Sequence, residues 1–147
     1  TFNESSNEIT LNEVSISKEN IISGDTFDIK FVFNKKGNQK FQSDITFHLT
    51  DEFGNLVFTG STGKSNTTFD IESGIIKGIC TIPQQLMNEG TYTIHRLIFV
   101  RDKGSVLFEI KNCFTFQILP KEKEFGWMGE REEGIIDPRL EWEIEVN

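Results

Sequence analysis

Two imidazoles, two thiols and one Gly-Lys-Ser triplet are where chemistry could sit in this chain. His48 and His95 are its two histidines. Neither has a second His or Cys at i+2 or i+4, the spacing that would complete a metal site. They read first as solvent-side residues of strands, with the face of His95 ambiguous because the apolar parity slips there. A sharper reading puts both in a ligand groove, and a catalytic base is the third. Gly63-Lys64-Ser65 invites a nucleotide. A phosphate-binding loop needs Gly five positions before Gly63, where Phe58 stands. It also needs a helix after the lysine, so that backbone amides point at phosphate. Here Asn66-Thr67-Thr68-Phe69 leads into a strand. No Ser or Cys occupies a nucleophile-elbow context. Carboxylates are many, but on an acidic surface their pairing is no signal. The expectation is a protein that is not an enzyme and takes no cofactor or metal.

The cysteines point the same way. Cys80 shares its strand parity with Ile76 and Ile82, the core side. Cys113 falls with Thr115 and Gln117, the wet side. A bond across a core would need both to point inward. Two free thiols are expected, and with them a reducing compartment.

The elements that must position these residues are strands. Period-2 alternation dominates and helical periodicity is nearly absent. Phe27, Ile29, Phe31 and Phe33 share one face of a strand; Thr26, Asp28 and Lys30 share the other. Ile45, Phe47 and Leu49 alternate with Thr46, His48 and Thr50. Phe114, Phe116 and Ile118 alternate with Cys113, Thr115 and Gln117. Turn signals separate the runs at Ser23-Gly24-Asp25, Lys36-Gly37-Asn38, Asp51 to Asn55, Glu89-Gly90 and Asp102-Lys103-Gly104. About eight strands result, near 9–17, 26–33, 44–50, 55–59, 67–71, 75–82, 91–101 and 105–118. Residues 84–88 allow at most one helical turn. Such a series of strands predicts an all-β, antiparallel sandwich of immunoglobulin-like or jelly-roll type.

Composition sets outer bounds. The 147 residues fit one domain with a real core. Fourteen Phe against three Pro suit apolar strand faces rather than a linker. The net charge of −8 disfavours a nucleic-acid partner, which needs a basic face. No apolar run is long enough to span a bilayer, and no signal-peptide pattern is visible. The chain opens on Thr1 and reads as a piece of a longer protein. Asn3-Glu4-Ser5 and Asn66-Thr67-Thr68 match the glycosylation pattern, which is common by chance.

The character changes after Leu119. Residues 121–147 hold nine acidic and four basic side chains, more than half of the net charge. Trp127, Ile135, Ile136 and Trp142 are nevertheless too apolar for a solvated tail and should dock. The division expected is a sandwich over 1–120 and an extension over 121–147 with a final strand.

The order of local signatures resembles one family. Glu8-Ile9 to Val14-Ser15-Ile16 looks like its opening strand, and Ile22-Ser23-Gly24-Asp25-Thr26-Phe27 like the start of its second. Leu49-Thr50-Asp51-Glu52-Phe53-Gly54-Asn55-Leu56-Val57 is similar to its hairpin. Gly74 to Pro83 and Gly90-Thr91-Tyr92 follow its middle passage. Asn112-Cys113-Phe114-Thr115-Phe116 resembles its closing strand. Trp127-Met128-Gly129, Gly134-Ile135-Ile136-Asp137-Pro138 and Glu141-Trp142 resemble its terminal pattern. The family is the C-terminal carbohydrate-binding domain of Wzt-type ATP-binding subunits of polysaccharide (O-antigen) ABC transporters. The resemblance implies a module that grips the exported glycan, often at its end, and couples it to export. It implies an ATPase domain upstream, a membrane permease partner, and a cytoplasmic place peripheral to the inner membrane. An extracellular immunoglobulin-like adhesion or structural module is the alternative. A glycan-active enzyme is a further one.

Parity then nominates a groove. If 44–50 neighbours 91–101, and 91–101 neighbours 105–118, their wet faces form one surface. Thr46, His48, His95, Arg96, Thr115 and Gln117 would share it, with Asp28 and Lys30 ranked lower on the other sheet. Leu140, Trp142, Ile144 and Val146 alternate as in an edge strand, after a connection of about twenty residues. The subunits resembled here work in pairs. The expectation is a homodimer contact, or a swapped strand, through these four residues; folding back on its own domain is the other possibility.

Overall fold

A computed structural model describes residues 8–64, 69–71, 73–121, 134–136 and 143. Nine strands run in chain order. They are β1 (Ile9–Ile16), β2 (Ile21–Ile22), β3 (Phe27–Lys35), β4 (Phe41–Thr50), β5 (Leu56–Ser61), β6 (Phe69–Ile71), β7 (Gly74–Ile82), β8 (Gly90–Arg101) and β9 (Ser105–Leu119). No helix occurs among the described residues. Two sheets form the sandwich. The smaller has the order β1-β3-β7; the larger has β2-β9-β8-β4-β5, with β6 also paired to β4. All pairings are antiparallel except that of β2, which lies parallel to the end of β9.

The alternation read from the sequence is the packing. In β4 every second residue, from Phe41 to Leu49, is buried. In β3 Phe27, Ile29, Phe31 and Phe33 point inward. The phenylalanines join the two sheets. Phe27 meets Phe116 edge-on at 5.7 Å, Phe31 meets Phe47 at 5.2 Å, and Phe33 meets Phe99 at 5.2 Å and Phe108 at 5.8 Å. Such contacts add about 0.5–1.5 kcal/mol each to the burial of the rings.

Three local expectations are corrected. Residues 84–88 form no helical turn; Gln85 has φ 60 and Met87 bridges Ile136 instead. Ile21 and Ile22, hidden in front of a turn signal, make the extra strand β2. Cys113 is not simply on the wet side: it is half-buried and packs against the core. Its neighbour Asn112 has φ 51, and the register of β9 against β8 slips there. That slip turns the cysteine from its nominal parity.

The extension is described only at 121, 134–136 and 143. Ile135 docks against the core as expected, while Ile136 is about half exposed. Trp127, Leu140, Trp142, Ile144 and Val146 lie outside the described residues.

Candidate binding surface

The outer face of the larger sheet carries the nominated residues. β4, β8 and β9 are neighbours, so the strand order assumed for the groove is the one observed. Asp28 and Lys30 are on the smaller sheet. Register arranges the outer face in rows. His48 of β4 opposes Thr59 of β5 on one side and Arg96 of β8 on the other, and Arg96 opposes Lys111 of β9. One row away, Thr50, Thr93 and Thr115 stand in line. The Thr93 and Thr115 hydroxyls are 3.0 Å apart, and the Thr50 hydroxyl donates to the Thr93 carbonyl at 3.4 Å. Gln117 lies opposite Thr91 at the far end.

The ambiguous face of His95 has a structural cause. The register shifts between Ile94 and Arg96 against both neighbours: against β4 His95 is an extra residue in β8, while against β9 the extra residue lies in β9, between Lys111 and Phe114. A bulge of this kind turns two consecutive side chains toward one side. His95 is exposed, and its Nδ1 lies 3.0 Å from the Asn112 Oδ1 of the irregular stretch of β9. Arg96 is half-exposed, and its Nε donates to Glu109 Oε2 at 2.5 Å. Left-handed residues such as Asn112 and paired irregularities cost energy, and they gather where a fold aims side chains at a ligand.

His48, His95, Arg96 and Thr115 therefore come together. Thr46 and Gln117 flank them from opposite ends, roughly 20 Å apart along the strands. Thr46 has another engagement. With Ser61 and Thr62 its hydroxyl converges on Asp44 Oδ1, at 3.1, 3.2 and 3.1 Å. That cluster pins the loop after β5, where a Cβ on Gly63 would stand only 2.2 Å from Asp44 Oδ2. Lys111 and Glu109 were missed by the sequence reading. Both sit on the wet parity of β9, but only register places them beside Arg96.

A concavity opens at the edge of the sandwich. It has a volume of about 300 Å³ between β7 and the β4–β5 pair, walled by Phe31, Ile45, Phe47, Gly78 and Cys80. Burial pushes the Cys80 thiol up. Among the described residues no group of three or more His, Cys, Asp or Glu is gathered as a metal site.

No family model and no curated protein sequence matches the chain. A crystal structure of the C-terminal domain of Wzt superposes with a TM-score of 0.72, covering 97% of this chain and 87% of that one. This chain has the fold of the Wzt C-terminal domain. Identity to Wzt is only 9%, so the likeness speaks for fold alone. A Pseudomonas fluorescens alkylpurine DNA glycosylase bound to abasic-site DNA gives 0.49 at 10% identity, over 76% of this chain and 30% of that one. A β-glucuronidase of glycoside hydrolase family 2 gives 0.41 at 12%, over 75% and 11%. Neither of these bears on function. The Wzt-like sandwich presents its polar outer sheet as a rigid platform, with side chains fixed by register rather than by loops.

Proposed function

We propose that this chain is a non-catalytic carbohydrate-binding module. It recognises an O-antigen-type polysaccharide, at its terminal structure, and couples it to an ABC transporter. The observation that carries this reading is the Wzt-like fold along 97% of the chain. The outer sheet supports it chemically. Sugar hydroxyls need donors and acceptors held in fixed directions. His48, Thr50, Thr93, His95, Arg96 and Thr115 offer both on adjacent strands. The larger assembly belongs to the same proposal: an ATPase domain, a membrane permease, and a place at the cytoplasmic side of the inner membrane. No helix among the described residues is long and apolar enough to cross a membrane. Homodimerisation through Leu140, Trp142, Ile144 and Val146 completes it.

A glycan array probed with the full chain tests the recognition. Retention of one class of bacterial polysaccharide is expected, and retention of none would overturn the reading. Light scattering of the full chain and of one lacking 121–147 tests the pairing. The particle should fall from dimer to monomer on deletion. A full chain that is monomeric at high concentration would rule the pairing out.

A further inference from the structure

The row that crosses the middle of the outer sheet carries two cations, Arg96 and Lys111, although the protein is strongly acidic. His48, Arg96 and Lys111 follow one another across β4, β8 and β9, and His95 is thrust out beside them. Glu109 is the acidic side chain shown paired with this group. It engages Arg96 through Nε. A guanidinium has five N–H donors, so the terminal nitrogens keep their fork. No other partner of Arg96 occurs among the described residues, and Lys111 is exposed with none. Glu109 thus acts as a brace that fixes the plane of Arg96 and leaves its outer edge open.

We propose that Arg96 and Lys111, flanked by His48 and His95, form a subsite for an anionic substituent of the glycan. The chemistry is that of an oxyanion: the carboxylate of an acidic sugar or a phosphate ester. Planar two-point pairing suits Arg96, and a point charge suits Lys111. The inference rests on the carbohydrate reading and gives it a substrate class.

The test titrates the ¹⁵N-labelled full chain with methyl glucuronide, glucose 6-phosphate and neutral methyl glucoside. Amide shifts should gather at His48, His95, Arg96 and Lys111 with the two anions and not with the neutral sugar. Arg96→Gln should weaken the response at least about tenfold, and Lys111→Gln by less. A stronger response to the glucuronide assigns the subsite to a uronic carboxylate; a stronger response to the phosphate assigns it to a phosphate ester. Absent shifts, or shifts that survive Arg96→Gln, would overturn the subsite. An array that retains neutral glycans alone would also overturn it and leave the carbohydrate reading standing. An array that retains nothing removes the carbohydrate reading, and the titration then judges the anion site separately.

Discussion

The Tyr92 hydroxyl sits 2.7 Å from the backbone carbonyl of Asn88, tying the start of β8 back to the turn that precedes it. It also lies 3.1 Å from the Ile135 carbonyl. The ring is fully buried and stacks on Phe116 at 5.8 Å. The same corner holds Gly134, whose carbonyl accepts from Asn88 Nδ2 at 2.8 Å. The phenol, its one proton shared between two carbonyls, the Asn88 amide and the Met87–Ile136 bridge together fasten 134–136 to the sandwich. Tyr92→Phe keeps the ring and removes the donor. It should cost about 1–2 kcal/mol in urea unfolding and speed amide exchange at 134–136 relative to β3. Unchanged stability and exchange would show that the hydroxyl is not one of the ties.

Gly60 is required by a neighbour rather than by its own backbone. A Cβ there would stand 2.4 Å from Phe47 Cε1 and 2.7 Å from Cζ. The Phe47 ring is held between Phe31 and Phe58. Gly60→Ala should destabilise by about 1–3 kcal/mol. Adding Phe47→Leu should make the second substitution less costly than it is alone. Additive losses in the double variant would contradict this contact.

Acid should weaken the fold through identifiable carboxylates. Asp25 accepts the Ile22 backbone N–H at 3.0 Å and lies 3.3 Å from Lys18 Nζ. The backbone bond, more than the lysine, holds its carboxyl below the ordinary range. Glu13 is held down by the Ser15 hydroxyl and by Lys30 in the same manner. A depressed folded-state pKa gives stability that is complete above the unfolded value, near pH 4. That stability is lost as pH falls through the folded value. Unfolding midpoints should drop between about pH 5 and pH 2, and Asp25→Asn should flatten the drop. An equally steep drop in the variant would exclude Asp25.

The two thiols should be slow to react. Burial raises both, Cys113 to about 11 and Cys80 less. Alkylation of the native chain at pH 8 should leave both cysteines unmodified for hours, and unfolding should release two reactive thiols. Intact mass gives the count. Loss of two protons with no reactive thiol after unfolding would indicate a Cys80–Cys113 bond and favour an extracellular adhesion module.

Strand content was legible because one face of each long strand is wet. Phe27 to Phe33 and Ile45 to Leu49 show their inward residues by alternation alone. Lys35 escaped that logic. It lies beyond the apolar run yet is buried, 3.5 Å from Glu8 and over the Phe41 ring. A long alkyl stem carrying a paired charge can occupy a core position that a hydrophobic pattern would never assign. The candidate surface was legible in part for a related reason. Parity found His48, Arg96 and Thr115, but a bulge is invisible to parity, and His95 could not be given a face. Lys111 and Glu109 became neighbours of Arg96 only through register, which two separate strands do not reveal in sequence.

Titration calorimetry with the polysaccharide retained most strongly on the array tests the binding surface most directly. His48→Ala with Arg96→Ala removes two side chains that face solvent and anchor no core, so the melting temperature should stay within a few degrees. Binding should be abolished. Undiminished binding by a folded double variant would mean that the outer face of β4, β8 and β9 is not where the glycan sits.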